Sequence, residues 1–418
     1  MTLQKIQLNK AEGEKISTLF VVYLFFVIFR PPIIKFNTTY LIVILNVMIL
    51  AFYVIKHDVV CVSKEFVSSF IGFVPFVIYF ILLHFLHIVL APANAPVLIQ
   101  ACLGLVKTWF YILIVVLSIS AIVDMLNINL NGYVKHLAVV FAIQLILVLL
   151  SYFIPQVKSL FLELIYNNVS SETVITATRQ DSYFRCYGLA DNLFDSFGYI
   201  SALAIVVFMN YGITKKKIVS LILSFLLLVL PLLNARTGLL LAFAGMVVVF
   251  FQNFDLRKIA KYFIIIGTAI IVIAVVYKKL PIEITRWIEV GIDATVKLVH
   301  GNKESVYSEI LLADLIWPSS ILFGAGAAPE VISTYVGIDS GIVQSIWRFG
   351  LIGLLFLFAG FFHMFHTKSK DHGYILPLAV IFLLYLFKLY GLFNLGSVPL
   401  IYMLPVLLRK EKEGWTCL

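Results

Sequence analysis

Apolar segments recur along almost the whole chain and constrain its fold more than any other feature. A helix needs about 20 apolar residues to cross a bilayer, and twelve segments reach or approach that length. They lie near residues 17–29, 38–55, 67–91, 98–125, 135–156, 190–211, 218–233, 238–252, 260–277, 341–365, 374–391 and 394–408. The segments predict about 12 transmembrane helices, of which the first, eighth and last are short.

The composition agrees with this interpretation. Apolar residues make up 62% of the 418 residues and charged residues 13%, and the mean hydropathy is +1.04. Soluble domains are about half apolar and a quarter charged. We therefore expect an all-α polytopic membrane protein in which residues 1–418 form a single integral membrane domain. No small-residue cleavage site follows the first apolar run, so that segment is expected to remain as a helix.

The net charge of +9 reflects topology rather than a nucleic-acid partner. If the N-terminus is cytoplasmic, most lysines and arginines fall in cytoplasmic loops, which is the positive-inside bias. The shorter outer loops hold few of them, namely Arg30, Lys35, Lys158, Arg179, Arg185 and Arg236. Both termini are therefore predicted to be cytoplasmic. The two longer outer loops are a smaller one at 157–189 and a large one at 278–340.

The large loop has an internal pattern that predicts short amphipathic helices followed by a glycine-rich turn. Its apolar positions from 284 to 299 recur at helical spacing, which is typical of a helix lying on a membrane surface. Residues 307–316 predict a second short helix that ends at Pro318. Gly324, Gly326 and Pro329 then interrupt regular structure.

The four cysteines, Cys61, Cys102, Cys186 and Cys417, are scattered without CxxC or metal-ligand spacing. The chain contains neither a Walker motif nor GxGxxG, which argues against an ATP-driven pump or a nucleotide-sugar enzyme. We expect no metal and no cofactor.

Arginines at outer helix junctions are the first candidates for binding an anionic substrate. Arg236 lies in a very short turn (NARTG), where a guanidinium can hold two phosphate oxygens. The alternative is an arginine that extends into the lipid headgroups. Arg185 lies where the chain re-enters the membrane, and Asp191 and Asp195 follow one helical turn apart. The alternative for these residues is a local ion pair.

Candidates in the large loop include a carboxylate that could act as a base. Asp339 and Ser340 stand at the start of the next helix, and Arg348 follows about two and a half turns later. The alternative is that Asp339 and Ser340 cap the helix. Arg286 is spaced for a surface ion pair with Glu289, and it is also a candidate for substrate binding.

Three blocks together resemble the bacterial O-antigen polymerase (Wzy) and O-antigen ligase superfamily, over roughly the C-terminal half. They are RCYGLADNLFDSFG (185–198), NARTGLLLAFAG (234–245) and ILFGAG…DSGIVQSIWRFGLIG (321–353). Ligases carry a histidine pair motif, nine residues and then GxxG after the long periplasmic loop. Here Asp339-Ser340, nine residues, Gly350 and Gly353 match that spacing, with aspartate in place of histidine. The difference favours the polymerase branch.

The resemblance implies metal-independent glycosyl transfer at the periplasmic face of the bacterial inner membrane. The implied donor is a glycan on undecaprenyl diphosphate, and the acceptor is a hydroxyl of another lipid-linked repeat unit. Arg236 would hold the diphosphate and Asp339 would orient the acceptor hydroxyl as a base. Substrate binding would involve Arg185, Arg348, Arg286 and Asp191. Membrane lipids and a chain-length regulator are the further partners that this function implies.

Two other functions fit parts of the sequence. A ligase would transfer the glycan to lipid A-core, although the ligase histidine is missing. A flippase for the same lipid-linked units would also have twelve helices. Transporters often have two related halves, however, and this chain has its large outer loop late in the sequence.

Overall fold

The structure is a computed structural model, and its description covers the greater part of the chain. The described residues are 10–31, 38–57, 64–90, 92–166, 186–190, 194–234, 236–253, 285, 289, 317–327, 341–366, 372–388 and 394–413. Within these ranges the regular structure is helical throughout, with no strand. The expected all-α fold is confirmed for this part of the chain.

The helices follow one another with short connections. They are α1 (Lys10–Phe29), α2 (Thr38–His57), α3 (Lys64–Phe70), α4 (Val74–Leu90), α5 (Ala95–Met125), α6 (Leu130–Phe153), α7 (Pro155–Tyr166), α8 (Phe194–Thr214), α9 (Ile218–Leu226), α10 (Val229–Asn234), α11 (Arg236–Gln252), α12 (Gly341–Phe365), α13 (Ile375–Lys388), α14 (Val398–Ile401) and α15 (Met403–Glu413). The 3₁₀ turn Ile71–Phe73 joins α3 to α4, and a second, Leu395–Ser397, precedes α14.

Eleven of the twelve predicted apolar segments correspond to helices. In the described residues six helical spans are long and apolar enough to cross a membrane, and five shorter apolar ones have 10–17 residues. The shorter ones include Ile218–Asn234 and Ile375–Leu386 as well as the three predicted to be short. The remaining predicted segment, 260–277, lies outside the described residues. Among the residues of the predicted amphipathic helices, only Thr285 and Glu289 are described, and both are helical.

Helix α8 forms the centre of the fold. In its most apolar 18-residue window 89% of the residues are buried, against 22% for α2. Small residues such as Gly198, Ser201 and Ala204 alternate around α8 with large apolar ones. A helix that is apolar on all sides is suited to full burial. Helices α6, α9, α10, α11 and α13 all pack against it.

Helices α2 and α4 lie at the periphery and expose large apolar side chains. Met48, Phe52, Leu82 and Phe85 are each more than half exposed. An apolar surface of this extent is unusual for a soluble monomer and is what a lipid environment requires. Long apolar helices and an apolar exterior together indicate a multi-pass membrane protein.

Candidate functional site

A short non-helical segment, residues 186–190, is held inside the helical bundle by the side chain of Asn234. The Cys186 N–H donates to Asn234 Oδ1 (3.0 Å), and Asn234 Nδ2 donates to the Cys186 carbonyl (2.8 Å) and to the Leu230 carbonyl (2.8 Å). Asn234 is 1% exposed. Its carboxamide therefore joins the end of α10 to a segment 48 residues earlier in the chain.

The same segment is bound to α6 on its other side. Gln144 Nε2 donates to the Tyr187 carbonyl (2.6 Å), and Gly188 has a φ of 59°. A Cβ atom at Gly188 would lie 2.9 Å from Gln144 Nε2, so only glycine fits here. Gln144 lies nine residues before the end of α6, which places the segment about 14 Å below that end at 1.5 Å per residue.

Helices α8 and α11 begin side by side next to this segment. A Cβ on Gly238 would overlap the backbone of Gly198, and one on Gly245 would meet Val206 Cγ2 at 2.5 Å. Both contacts advance along the two helices in the same direction, so α8 and α11 are parallel. The first turns of both helices, with Asp195 and Arg236, are therefore at the same end of the bundle. Helix N-termini carry unpaired N–H groups and partial positive charge, which favour anions.

The end of α1 reaches the same place. The Phe29 ring lies 6.2 Å from that of Phe197 in the first turn of α8, and the Tyr187 ring lies 5.9 Å from Phe197. We call this region the polar junction and define it by Arg30, residues 186–190, Asp195, Asn234 and Arg236. Arg30, Leu189 and Asp195 are half-buried, so the junction is accessible from outside the protein.

A lysine that the sequence analysis treated only as a loop charge also lies beside the polar junction. Lys158, in the first turn of α7, interacts electrostatically with the Cys186 thiol. Burial lowers the pKa of Lys158, and burial likewise raises the pKa of the Cys186 thiol. The predicted outer loop 157–189 thus begins within α7, a helix that brings a cation to the junction. Pro155 at the first helical position was the available signal.

The glycine-rich stretch 321–327 pairs with a break in α12. Gly350 has φ 67° and ψ 178° within that helix, which frees backbone groups on both sides of it. The Leu351 N–H donates to the Ile321 carbonyl (2.9 Å), and the Ala325 N–H donates to the Trp347 carbonyl (2.6 Å). The two parts of the third resembling block, on either side of residues 328–340, are therefore in direct contact.

This contact requires glycine on both sides. Gly324 has a φ of 71°, and a Cβ there would lie 2.6 Å from Gly350 N. The Phe349 carbonyl, next to the break, accepts from the Tyr79 hydroxyl at 2.8 Å. His84 and His87 of α4 lie beside Gly326, and a Cβ at Gly326 would lie 3.4 Å from the His87 ring. The stretch is thus fixed between α4 and α12.

The predicted site residues divide into three groups. Arg236 is the first residue of α11, and its side chain lies outside the described part. Arg348 is half-buried on α12, two residues before the break. Four others lie outside the described residues, namely Arg185, Asp191, Arg286 and Asp339.

The structure connects the first two blocks directly and the third through α13. Arg185 is bonded to Cys186, and Arg236 follows Asn234 by two positions, so both arginines flank the Asn234–Cys186 contact in the chain. Helix α13 packs against α8, α11 and α12. Within the described ranges no three His, Cys, Asp or Glu side chains form a group that could bind a metal.

Comparisons of this chain with models of known protein families, with curated proteins and with solved structures gave no match.

Proposed function

We propose that this protein polymerises oligosaccharide repeat units carried on undecaprenyl diphosphate. The reaction would be glycosyl transfer at the periplasmic face of a bacterial inner membrane, with both chain termini in the cytoplasm. The observation that carries the proposal is the polar junction. There the start of α11, with Arg236, and the segment that follows Arg185 are held together by Asn234, among helices of membrane-spanning character.

The chemistry needs little more than binding and orientation, because a diphosphate is already a good leaving group. The acceptor hydroxyl oxygen attacks the anomeric carbon of the donor glycan, and the bond between that carbon and the diphosphate oxygen breaks. The electron pair leaves with the diphosphate, and the hydroxyl proton passes to a base. The products are a lengthened lipid-linked glycan and undecaprenyl diphosphate.

The polar junction suits the leaving group. Developing negative charge on the diphosphate would be stabilised by Arg236, by Arg185 and by the N-termini of α8 and α11. Lys158 would add a third cation close to Cys186. These charges act more strongly in a partly desolvated site than in water.

The stretch 321–327 and the break in α12 would hold the acceptor part of the site. Asp339 is proposed as the base, and it precedes Gly341, the first residue of α12, by two positions. Arg348, Arg286 and Asp191 are proposed to bind the substrate. A separate chain-length regulator would set the length of the product.

The surface glycans of cells lacking the gene test the proposal and separate it from the two alternatives. A polymerase defect leaves single repeat units attached to lipid A-core and removes all longer chains. Loss of every repeat unit from lipid A-core would instead implicate a ligase or a flippase, and unchanged long chains would contradict all three. Restoration of long chains by the wild-type gene is the control.

A further inference from the structure

Arg30, directly after α1, has a backbone conformation that is unusual for its residue type. Its φ is 47°, and its N–H donates to the Phe26 carbonyl at 2.9 Å, which closes the last turn of the helix. Glycine is the common residue at this position because L side chains rarely adopt positive φ. The chain has an arginine there instead.

The Arg30 side chain is directed into the protein. Its Nε atom is buried, and its guanidinium is close enough to the Tyr111 hydroxyl of α5 to interact electrostatically. Tyr111 is 2% exposed. An arginine that extended into the lipid headgroups would not approach a buried hydroxyl.

Three tyrosine hydroxyls lie near one another here, and only two have an acceptor among the described residues. The Tyr23 hydroxyl donates to Asn46 Oδ1 (2.6 Å), and the Tyr133 hydroxyl donates to the Pro399 carbonyl (2.9 Å). The Tyr111 hydroxyl has no hydrogen-bond partner in the described part of the chain. A buried hydroxyl without a partner is costly, and a ligand with an acceptor oxygen would remove that cost.

We propose that Arg30 and Tyr111 form a binding site for a diphosphate group. The guanidinium can donate to two phosphate oxygens at once, and the phenol supplies a third donor. Arg30 follows Phe29, whose ring contacts Phe197 in the first turn of α8, so the site adjoins the polar junction. The inference rests on the proposed function, in which this diphosphate is the leaving group of the lipid-linked donor.

The decisive variant is Arg30→Gly, because glycine accepts the left-handed backbone while the guanidinium is lost. Native mass spectrometry of the detergent-solubilised full chain would measure binding of undecaprenyl diphosphate, with undecaprenol as the uncharged reference. We expect affinity for the diphosphate to fall about tenfold or more, since charge-assisted hydrogen bonds are lost. The melting temperature should be unchanged or higher. Lys216→Gly is the matched control, because Lys216 has a φ of 55° and is exposed in the turn after α8.

A second pair of variants separates ligand binding from structure. Tyr111→Phe should weaken diphosphate binding severalfold without lowering the melting temperature, because its hydroxyl has no partner to lose in the described structure. Tyr133→Phe should lower the melting temperature and leave the affinity unchanged, because its hydroxyl is bonded to Pro399. Equal diphosphate affinity in the wild type, Arg30→Gly and Tyr111→Phe would overturn the proposal.

Two further ligands identify the source of the diphosphate. Binding of free pyrophosphate that depends on Arg30 would support a site that also takes the soluble ion. Equal dependence of phosphatidylglycerol binding on Arg30 would overturn the site as a diphosphate site. If Arg30→Gly loses diphosphate binding but the wild type makes no polymer, the proposed function fails and the site stands. If the wild type polymerises and Arg30→Gly binds normally, only this inference fails.

Discussion

Asn234 illustrates at the scale of one residue what the sequence could and could not predict. The motif NARTG drew attention to Arg236, and Asn234 was only a flanking polar residue in a tight turn. In the structure Asn234 makes three hydrogen bonds that order the segment after Arg185. The partner, Cys186, is 48 residues away, and the sequence contains no periodicity that would indicate such a contact.

Replacing Asn234 should destabilise the segment that begins at Cys186. Asn234→Ala leaves the Cys186 N–H and carbonyl without their partner, which costs about 2 kcal/mol or more. We expect a lower melting temperature and faster alkylation of Cys186 by N-ethylmaleimide in a background with the other three cysteines replaced by serine. Wild-type Cys186 should react slowly, because it is buried and its pKa is raised. Asn253→Ala, at the far end of α11, should leave the alkylation rate unchanged; an equal increase would contradict the assignment.

The lowered pKa of Lys158 predicts a specific pH dependence of stability. Below that pKa both folded and unfolded chains carry the proton, and the folded state bears the full cost of burying the charge. As pH rises from the lowered pKa to the usual value of 10.5, the unfolded chain binds more protons and stability increases. Lys158→Met should therefore raise the melting temperature at pH 7 and flatten its rise toward pH 10. A parallel shift at all pH values would contradict the burial effect.

At the scale of elements, the break in α12 shows why short motifs were easier to find than their partners. Gly324, Gly326 and Gly350 predicted interruptions of regular structure, and all three have positive φ. Their mutual contact was not predictable, because the two strands of backbone are paired through carbonyl and N–H groups that every residue has. The pairing depends on the absence of a Cβ, which a sequence shows only as glycine.

A comparison of two glycine substitutions tests the role of the break. Gly350→Ala introduces a Cβ that overlaps the Leu322 carbonyl at a left-handed backbone position, so we expect destabilisation by about 2 kcal/mol or more and weaker glycan polymerisation. Gly104→Ala is the control, because nothing lies within 4 Å of a Cβ there and alanine favours a helix by about 0.5–1 kcal/mol. Thermal unfolding in detergent measures both. Similar melting temperatures for the two variants would show that the contact is not needed.

At the scale of the whole molecule, apolar length predicted most of the helices but not their arrangement. The segment 190–211 looked like any other span, yet as α8 it is the buried centre of the bundle. Its small residues were the available signal. The depth of the polar junction was not predictable either, because it depends on Gln144 binding a segment 43 residues later in the chain.

The predicted sidedness can be measured with single cysteines in a cysteine-free background. Glu163, exposed on α7, and Lys216, exposed in the turn after α8, are at opposite ends of the α8 span in the predicted topology. With an impermeant maleimide added to intact spheroplasts, Glu163→Cys should be labelled and Lys216→Cys should be labelled only after lysis. The reverse pattern would invert the topology and place the polar junction in the cytoplasm.

The central claim is that Arg236 at the polar junction stabilises a diphosphate leaving group during polymerisation. The most direct measurement is chain extension by the purified protein in proteoliposomes that contain lipid-linked repeat units. We predict that Arg236→Ala lowers the rate by about a hundredfold or more with unchanged folding, and that Arg236→Lys restores part of it. Full chain extension by a folded Arg236→Ala protein would contradict the claim.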